Sequence, residues 1–327
     1  MIEQWRILRL AFFLSAAVFF CHDVFAQCCS QSCSLTSGAG AGLLENRHLE
    51  ITAFYKHSYS ENYYSGRKKY KFENAPLTLD NSFYDYGGIS LGYGFTKNLT
   101  FEVQGGYFGN KTQNYENGAW IVGNGFSDMG ATLKCNIYRS KDSVLSVTMQ
   151  AGGKFPTGSY NDYTPEGVRL SHDVQSGTGA YSVSGGFLCS IKIKKKQSVT
   201  LSSVFEYCGI NPEEYQSGYS NVNLVSTGIK LLKGLSLIVM FKNENYASDY
   251  YYDLKQFSTG YSRLSALPGI AFEFGNEWSL NAMYEQPLFR YFNGIQFVQQ
   301  YGVTVSLSKK LELKKKKHVE NDSQKQG

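Results

Sequence analysis

Long apolar runs, proline and tryptophan are scarce in this sequence. Residues 10–20 form an apolar run, and nothing after them approaches the ~20 uninterrupted apolar residues that a membrane-spanning helix needs. The chain has only 6 Pro and 3 Trp, against 33 Gly, 25 Tyr and 22 Phe. Aromatic residues favour pleated strands and glycine favours sharp turns. We therefore expect an all-β chain and no helical membrane protein.

The N-terminus has the pattern of an export signal. Arg6 and Arg9 precede the apolar run, and Ala26 supplies the small residue that a signal peptidase needs. We predict a signal peptide over residues 1–26 and a mature chain that begins at Gln27. A lipid anchor on Cys28 is the alternative, but Gln27 stands where a lipoprotein signal has Gly, Ala or Ser.

Charge excludes one class of partner. The 32 Lys and Arg only slightly outnumber the 27 Asp and Glu, and much of the excess lies in residues 192–196 and 309–317. The other positive charges are too few to form a basic surface across a folded domain, so we expect no nucleic-acid partner. Residues 309–327 are predicted to form a charged periplasmic tail.

Hydrophobicity alternates with a period of two along most of the chain. Residues 145–151 show it clearly, with Leu145, Val147 and Met149 on one face and Ser146 and Thr148 on the other. Segments of this kind recur with a length of roughly ten residues, which suits a tilted strand crossing a membrane. About twelve are predicted, an even number as in bacterial single-chain barrels. They lie near residues 48–58, 82–95, 99–109, 127–138, 143–155, 178–193, 198–209, 219–231, 235–245, 262–274, 277–287 and 296–308.

The connections between these segments alternate in length. Short polar turns near residues 96–98, 140–142, 194–197, 233–234 and 275–277 alternate with long Tyr-rich loops near 59–81, 110–126, 156–177, 210–218, 246–261 and 288–295. Short periplasmic turns and long outer loops are typical of outer-membrane barrels, whereas a water-soluble sandwich has no reason to sort its turns by length. We predict an antiparallel transmembrane outer-membrane β-barrel over residues 48–308, with both termini in the periplasm.

Charges of both signs fall on the face that points away from lipid. Such charges need water or an opposite partner, so we expect a polar lumen. Asp128 and Lys134 share this phase on one strand and could form part of a charge network. The lumen-facing candidates are Glu102, Asp128, Lys134, Lys154, Glu206, Arg263 and Glu285.

Two neighbouring strands carry a family resemblance. Asp128 and Lys134 in residues 125–134, followed by Lys154, Pro156 and Gly158 in residues 151–158, resemble the outer-membrane transporter family named for the MetA pathway of phenol degradation. The resemblance implies a barrel related to hydrocarbon and fatty-acid transporters that passes small aromatic or apolar compounds. Its glycines and Pro156 are expected to act structurally, by permitting bends and ending the strand.

A cysteine cluster lies in residues 27–47, which we predict to be a Cys/Gly-rich periplasmic segment. Cys28, Cys29 and Cys33 are candidates for a disulfide in an oxidising compartment, with a soft-metal site for Cu(I) as the sharper alternative. No His or Met accompanies them, which favours the disulfide. No cofactor and no other metal are expected.

Two other functions remain open. Some twelve-stranded barrels are lipid hydrolases with a His-x-Ser spacing on one strand face, but none of the mature histidines, His48, His57, His172 and His318, has a Ser two residues on. We therefore predict no enzyme. A surface-binding or adhesive barrel would use the loop tyrosines as contact residues. These are Tyr63, Tyr64, Tyr115, Tyr160, Tyr163, Tyr215, Tyr250, Tyr251 and Tyr252.

The main hypothesis is a channel in the bacterial outer membrane for small, apolar or aromatic compounds, with a small-molecule solute and membrane lipid as its partners. An energised transporter would need a large N-terminal plug domain, and the residues before Leu49 are too few for one.

Overall fold

A computed structural model describes residues 43–73, 78–194 and 197–313. The predicted signal peptide, Cys28, Cys29 and Cys33, and most of the predicted tail lie outside the described residues. No helix among the described residues is long and apolar enough to cross a membrane. The strands are β1 (His48–Gly66), β2 (Lys68–Tyr70), β3 (Leu79–Thr96), β4 (Leu99–Tyr115), β5 (Trp120–Phe126), β6 (Met129–Arg139), β7 (Leu145–Phe155), β8 (Ser182–Lys194), β9 (Gln197–Cys208), β10 (Tyr215–Gln216), β11 (Ser220–Leu232), β12 (Leu235–Tyr246), β13 (Tyr250–Tyr251), β14 (Leu254–Lys255), β15 (Tyr261–Phe274) and β16 (Trp278–Glu312).

Antiparallel pairing closes these strands into a barrel. The order runs β16-β15-β12-β11-β9-β8-β7-β6-β4-β3-β1, and β1 pairs back onto β16 from His48↔Glu312 to Gly66↔Phe292. β16 is itself a hairpin that turns at Gly294, where φ is 71°. Its first arm pairs with β15 and its second with β1, and Lys310 N donates to Glu277 O between the arms. Twelve strand segments therefore form the wall, which confirms the predicted all-β antiparallel barrel.

The barrel has two unlike ends. We call the end with the short turns at residues 97–98, 140–144, 233–234 and 275–277 the turn end, and the opposite end the loop end. His48 and Glu312 pair at the turn end, so the chain enters and leaves the barrel there. At the loop end, β10, β13 and β14 form a separate three-stranded sheet.

Several predicted loops are strand at the loop end. β1 continues to Gly66 and β4 to Tyr115, and β5 lies wholly within the predicted loop 110–126. The predicted loop 288–295 is likewise mostly part of β16. These predictions were wrong because the wall extends beyond the alternating segments. Residues 59–66 and 110–115 are largely polar on both faces, whereas residues 120–126 and 288–292 carry apolar and aromatic side chains without the period of two.

The wall alternates as the sequence predicts. In β7, Met149 is 54% exposed on the outside while its neighbour Thr148 is 4% exposed on the inside. Exposed aromatic rings border this apolar surface at both ends, as they do at the headgroup boundaries of membrane barrels. Phe95, Tyr138, Phe274 and Trp278 lie at the turn end, and Tyr107, Phe126, Phe155 and Tyr181 lie towards the loop end.

Two adjacent glycines in β8 give a matched test of this alternation. A Cβ at Gly186 would stand 2.2 Å from Ser203 O, whereas a Cβ at the outward-facing Gly185 meets nothing within 4 Å. We expect Gly186→Ala to destabilise the barrel by about 1–3 kcal/mol through overpacking, and Gly185→Ala to leave it unchanged. The temperature at which the refolded barrel loses its compact mobility on a detergent gel measures this. Equal transition temperatures for both variants would contradict the assigned orientation of β8.

Candidate functional site

A cavity of about 170 Å³ lies inside the barrel towards the loop end. Aromatic rings form part of its wall on two sides. On β3 and β4 the rings of Tyr86 and Phe108 are 4.6 Å apart, and on β12 and β15 those of Tyr246 and Tyr261 are 4.9 Å apart. Ser58 and Ser182 add small hydroxyl side chains. The cavity therefore combines apolar ring faces with polar groups.

The connection between β7 and β8 folds inward and roofs this cavity. Val174 and Ser176 of this roof loop, residues 156–181, are 1% and 0% exposed. Lys111 on β4 donates from Nζ to Gln175 O at 2.7 Å. Gly123 on β5 lets the loop approach, because a Cβ there would lie 2.2 Å from Val174 O. The loop is thus packed against the barrel wall.

Asp128 fastens both ends of the roof loop. Its Oδ1 accepts a hydrogen bond from Gly158 N at 3.0 Å, and its Oδ2 accepts from Thr178 N at 2.9 Å and from Thr178 Oγ1 at 2.6 Å. Beside it, Met129 N donates to Thr157 Oγ1 at 2.8 Å. Asp128, Thr157 and Gly158, which belong to the two segments that carry the family resemblance, therefore form one joint. In it, Asp128 replaces the water that the loop amides would otherwise bind.

The expected network of Asp128 with Lys134 is not formed, because Asp128 lies before β6 and is bound by the loop. Lys134 Nζ instead lies 2.6 Å from Glu102 Oε2 across β4 and β6. Two further candidates, Lys154 on β7 and Glu206 on β9, lie 2.7 Å apart from Nζ to Oε1. Each of these four charged side chains is thus compensated by a partner of opposite sign.

Arg263 and Glu285 form ion pairs with two residues that were not among the predicted lumen-facing candidates. Arg263 Nε donates to Glu244 Oε2 at 2.9 Å, and Lys242 Nζ lies 2.8 Å from Glu285 Oε1. Lys242 and Glu244 fall on the inward phase of a correctly predicted strand, so the same period of two could have identified them. Removing one member of this buried group would leave an uncompensated charge in a low-dielectric interior.

The lumen is not polar throughout. Between this charged group and the turn end lies a buried apolar cluster on β11, β12, β15 and β16, which corrects the expectation of a wholly polar interior. Met283, which breaks the alternation of its strand, belongs to it because its side chain faces inward. The cluster consists of Leu224, Ile238, Met240, Ala271 and Met283.

The roof of the cavity carries a second set of titratable groups. The rings of His172 and Tyr215 stack with centroids 3.8 Å apart, and Tyr215 Oη donates to Asp249 Oδ2 at 2.5 Å. Burial, aided by the nearby Arg169 charge, lowers the pKa of His172 to about 4, so this ring is neutral at neutral pH. Burial raises the pKa of Asp173 to about 6 against the opposing effect of Lys111. Burial also raises the pKa of Asp249.

Four of the nine loop tyrosines differ clearly in their exposure. Tyr215 lines the cavity, whereas Tyr250, Tyr251 and Tyr252 are exposed at the loop end.

The described residues contain no group of three or more His, Cys, Asp or Glu side chains that could hold a metal ion.

His57 lies on the outer wall. Its Nδ1 is 2.8 Å from Asp85 Oδ1, and Tyr55 and Asn110 also donate to that carboxylate. Within the described chain, no serine hydroxyl hydrogen-bonds to the His57 ring.

Substitution of Asp128 tests how firmly the roof loop is attached. Asp128→Ala removes three charge-assisted hydrogen bonds and should weaken attachment of the roof loop by roughly 2–4 kcal/mol. We expect faster tryptic cleavage at Arg169 and a larger single-channel conductance. The control is Asp80→Ala, because Asp80 is exposed and, among the residues that the structure describes, accepts a side-chain hydrogen bond from its neighbour Asn81 alone. Unchanged cleavage and conductance in Asp128→Ala would show that the loop is held by other contacts.

Comparison with known proteins gives the fold. No protein-family model matches the sequence, and no curated protein matches it. Among solved structures, an outer membrane channel from Pseudomonas putida F1 aligns with a TM-score of 0.68 at 14% identity, over 84% of this chain and 98% of that one. The translocator domain of the autotransporter NalP from Neisseria meningitidis aligns with a TM-score of 0.48 at 12% identity, over 82% and 90%. The toluene transporter TodX from P. putida aligns with a TM-score of 0.44 at 10% identity, over 83% and 92%. The first of these confirms the outer-membrane barrel fold that the sequence resemblance implied.

Proposed function

We propose that this chain is an outer-membrane channel that admits small aromatic or apolar solutes. The observation that carries the proposal is a cavity of about 170 Å³, partly lined by aromatic rings, inside a closed barrel. A cavity of ~150 Å³ holds one benzene molecule in an engineered protein, so this one suits a solute with a single ring.

The outer surface supports a membrane location. Exposed apolar side chains cover the wall between two sets of aromatic rings, which is the arrangement of barrels surrounded by lipid. In bacterial barrels the short turns face the periplasm and the long loops face outward. We therefore assign the turn end and both chain ends to the periplasm, and the cavity lies towards the cell exterior, beneath the roof loop.

The interior supports a narrow, selective passage. On the loop-end side, the roof loop covers the cavity and is fastened by Asp128 and Lys111. On the turn-end side, the apolar cluster around Met240 and Met283 follows. A solute that crosses would pass beneath the roof loop and then along this cluster on one side of the wall, so we expect slow permeation of small molecules and low ion conductance.

A surface-binding role is the second candidate, and it has an observation of its own. Tyr252, Leu254 and Phe257 are 61%, 70% and 91% exposed on the loop that contains β13 and β14. Exposed aromatic and apolar side chains are typical of contact surfaces. The surface role and the channel role differ in whether function requires solutes to pass through the lumen.

Substitutions at two neighbouring residues on β8 test whether solutes pass through the lumen. Ser182 is 5% exposed and lines the cavity, whereas Val183 is 62% exposed on the outer wall. We expect Ser182→Trp to reduce uptake of benzyl alcohol into liposomes at least about fivefold, because the indole fills a cavity of single-ring size. Val183→Trp, the matched control, should leave uptake unchanged.

Uptake by the native protein that equals that of protein-free liposomes would refute the channel proposal and favour the surface role. Equal uptake by the two variants would show that solutes do not pass through this cavity. Both variants must first show the compact gel mobility of the folded barrel.

A further inference from the structure

The carboxylates that line the cavity are bound by other described residues, with one exception. Lys154 pairs with Glu206, and Arg263 pairs with Glu244. Asp128 accepts hydrogen bonds from the roof loop, and Asp249 accepts them from Tyr215 Oη and from Gly218 N. Among the carboxylates that line the cavity, Asp173 alone has no hydrogen bond or ion pair with a described residue. Its carboxylate is therefore available to a solute.

The surroundings of Asp173 do not compensate its charge fully. Lys111 on β4 attracts it, but Lys111 Nζ is hydrogen-bonded to Gln175 O, and Asp249 on the facing loop repels it. The adjacent His172 is neutral at neutral pH, and Arg169 is paired with Glu213. The raised pKa of Asp173, about 6, means that ionisation is unfavourable here without a further positive charge.

Aromatic rings line the same cavity as this carboxylate, among them those of Phe108 and Tyr215. Lys111 Nζ, which attracts Asp173, is 4.9 Å from the centre of the Phe108 ring. Tyr215, whose phenol interacts electrostatically with Asp173, lines the same cavity. Carboxylate and ring faces together favour an ammonium group, since both attract cations in a partly desolvated site.

We propose that the cavity prefers solutes that carry an ammonium group on a single-ring aromatic body, with the ammonium against Asp173 and the ring beside Phe108 and Tyr215. This inference rests on the proposed channel function and specifies its solute class. Neutral aromatic solutes would bind the same rings without the charge contribution, and aromatic anions would be repelled.

The test compares three solutes that share one ring: benzylammonium, benzyl alcohol and benzoate. Block of single-channel current in a planar bilayer gives an apparent Kd for each at pH 7.5. We expect benzylammonium to bind tightest in the native protein, and Asp173→Asn to weaken it roughly tenfold while benzyl alcohol changes less than about twofold. Asp253→Asn, at an exposed loop position, is the matched control and should change none of the three.

The pH dependence gives a second readout that needs no variant. Asp173 must be ionised to attract the ammonium, and its pKa of about 6 places the change between pH 7.5 and pH 5. Benzylammonium stays protonated over this interval, so its block should weaken as pH falls through 6. The block by benzyl alcohol should stay constant.

The outcomes separate this inference from the channel proposal. Equal benzylammonium block in native and Asp173→Asn protein, or stronger block by benzoate, would overturn the assigned solute class and leave the channel standing. Failure of all three solutes to affect the current, together with no uptake into liposomes, would refute the channel itself. If Asp173→Asn does not fold, constant benzylammonium block from pH 7.5 to pH 5 in the native protein overturns the inference.

Discussion

The requirement that every backbone amide and carbonyl in a lipid environment be hydrogen-bonded governs this structure. An open sheet would leave an unpaired edge in hydrocarbon, where each unsatisfied group costs several kcal/mol. The long register between β1 and the second arm of β16 removes that edge. Once the sheet is closed, alternate side chains must face lipid and lumen, so the apolar exterior and the charged interior are two results of one closure.

Closure explains most of what the sequence could predict. The alternation in segments such as residues 145–151 arises because one face of the wall meets lipid and the other does not. The same rule predicted Glu102, Lys134, Lys154 and Glu206 on the lumen-facing phase, although it could not identify their partners. A strand shows which face a residue occupies, but the partner depends on the register with its neighbours, as the pairing of Lys134 with Glu102 shows.

The alternation with a period of two does not predict wall segments that contact lipid on neither face. The ends of β1 and β4 extend beyond the apolar zone, and their polar sequence resembles that of loops, whereas β5 is largely apolar but lacks the period of two. The burial of the roof loop could not be predicted, for a different reason. Nothing in residues 156–181 signals that Val174 and Ser176 would be fully buried, because that burial depends on the glycines of β5 and on the carboxylate of Asp128. The resemblance located Asp128, but only the structure shows its bonds.

Wall and loop contribute differently to the cavity. The strands supply opposite charges in pairs, such as Lys154 with Glu206, because a buried charge on a rigid wall needs a fixed partner. The roof loop supplies Asp173, whose charge has no such partner in the described chain. A wall neutralised in this way offers little discrimination between charged solutes, so the selectivity of the cavity depends on the loop. Because that loop is fastened chiefly by side chains such as Asp128 and Lys111, exchanging its residues can alter which solutes enter while the barrel keeps its pairing.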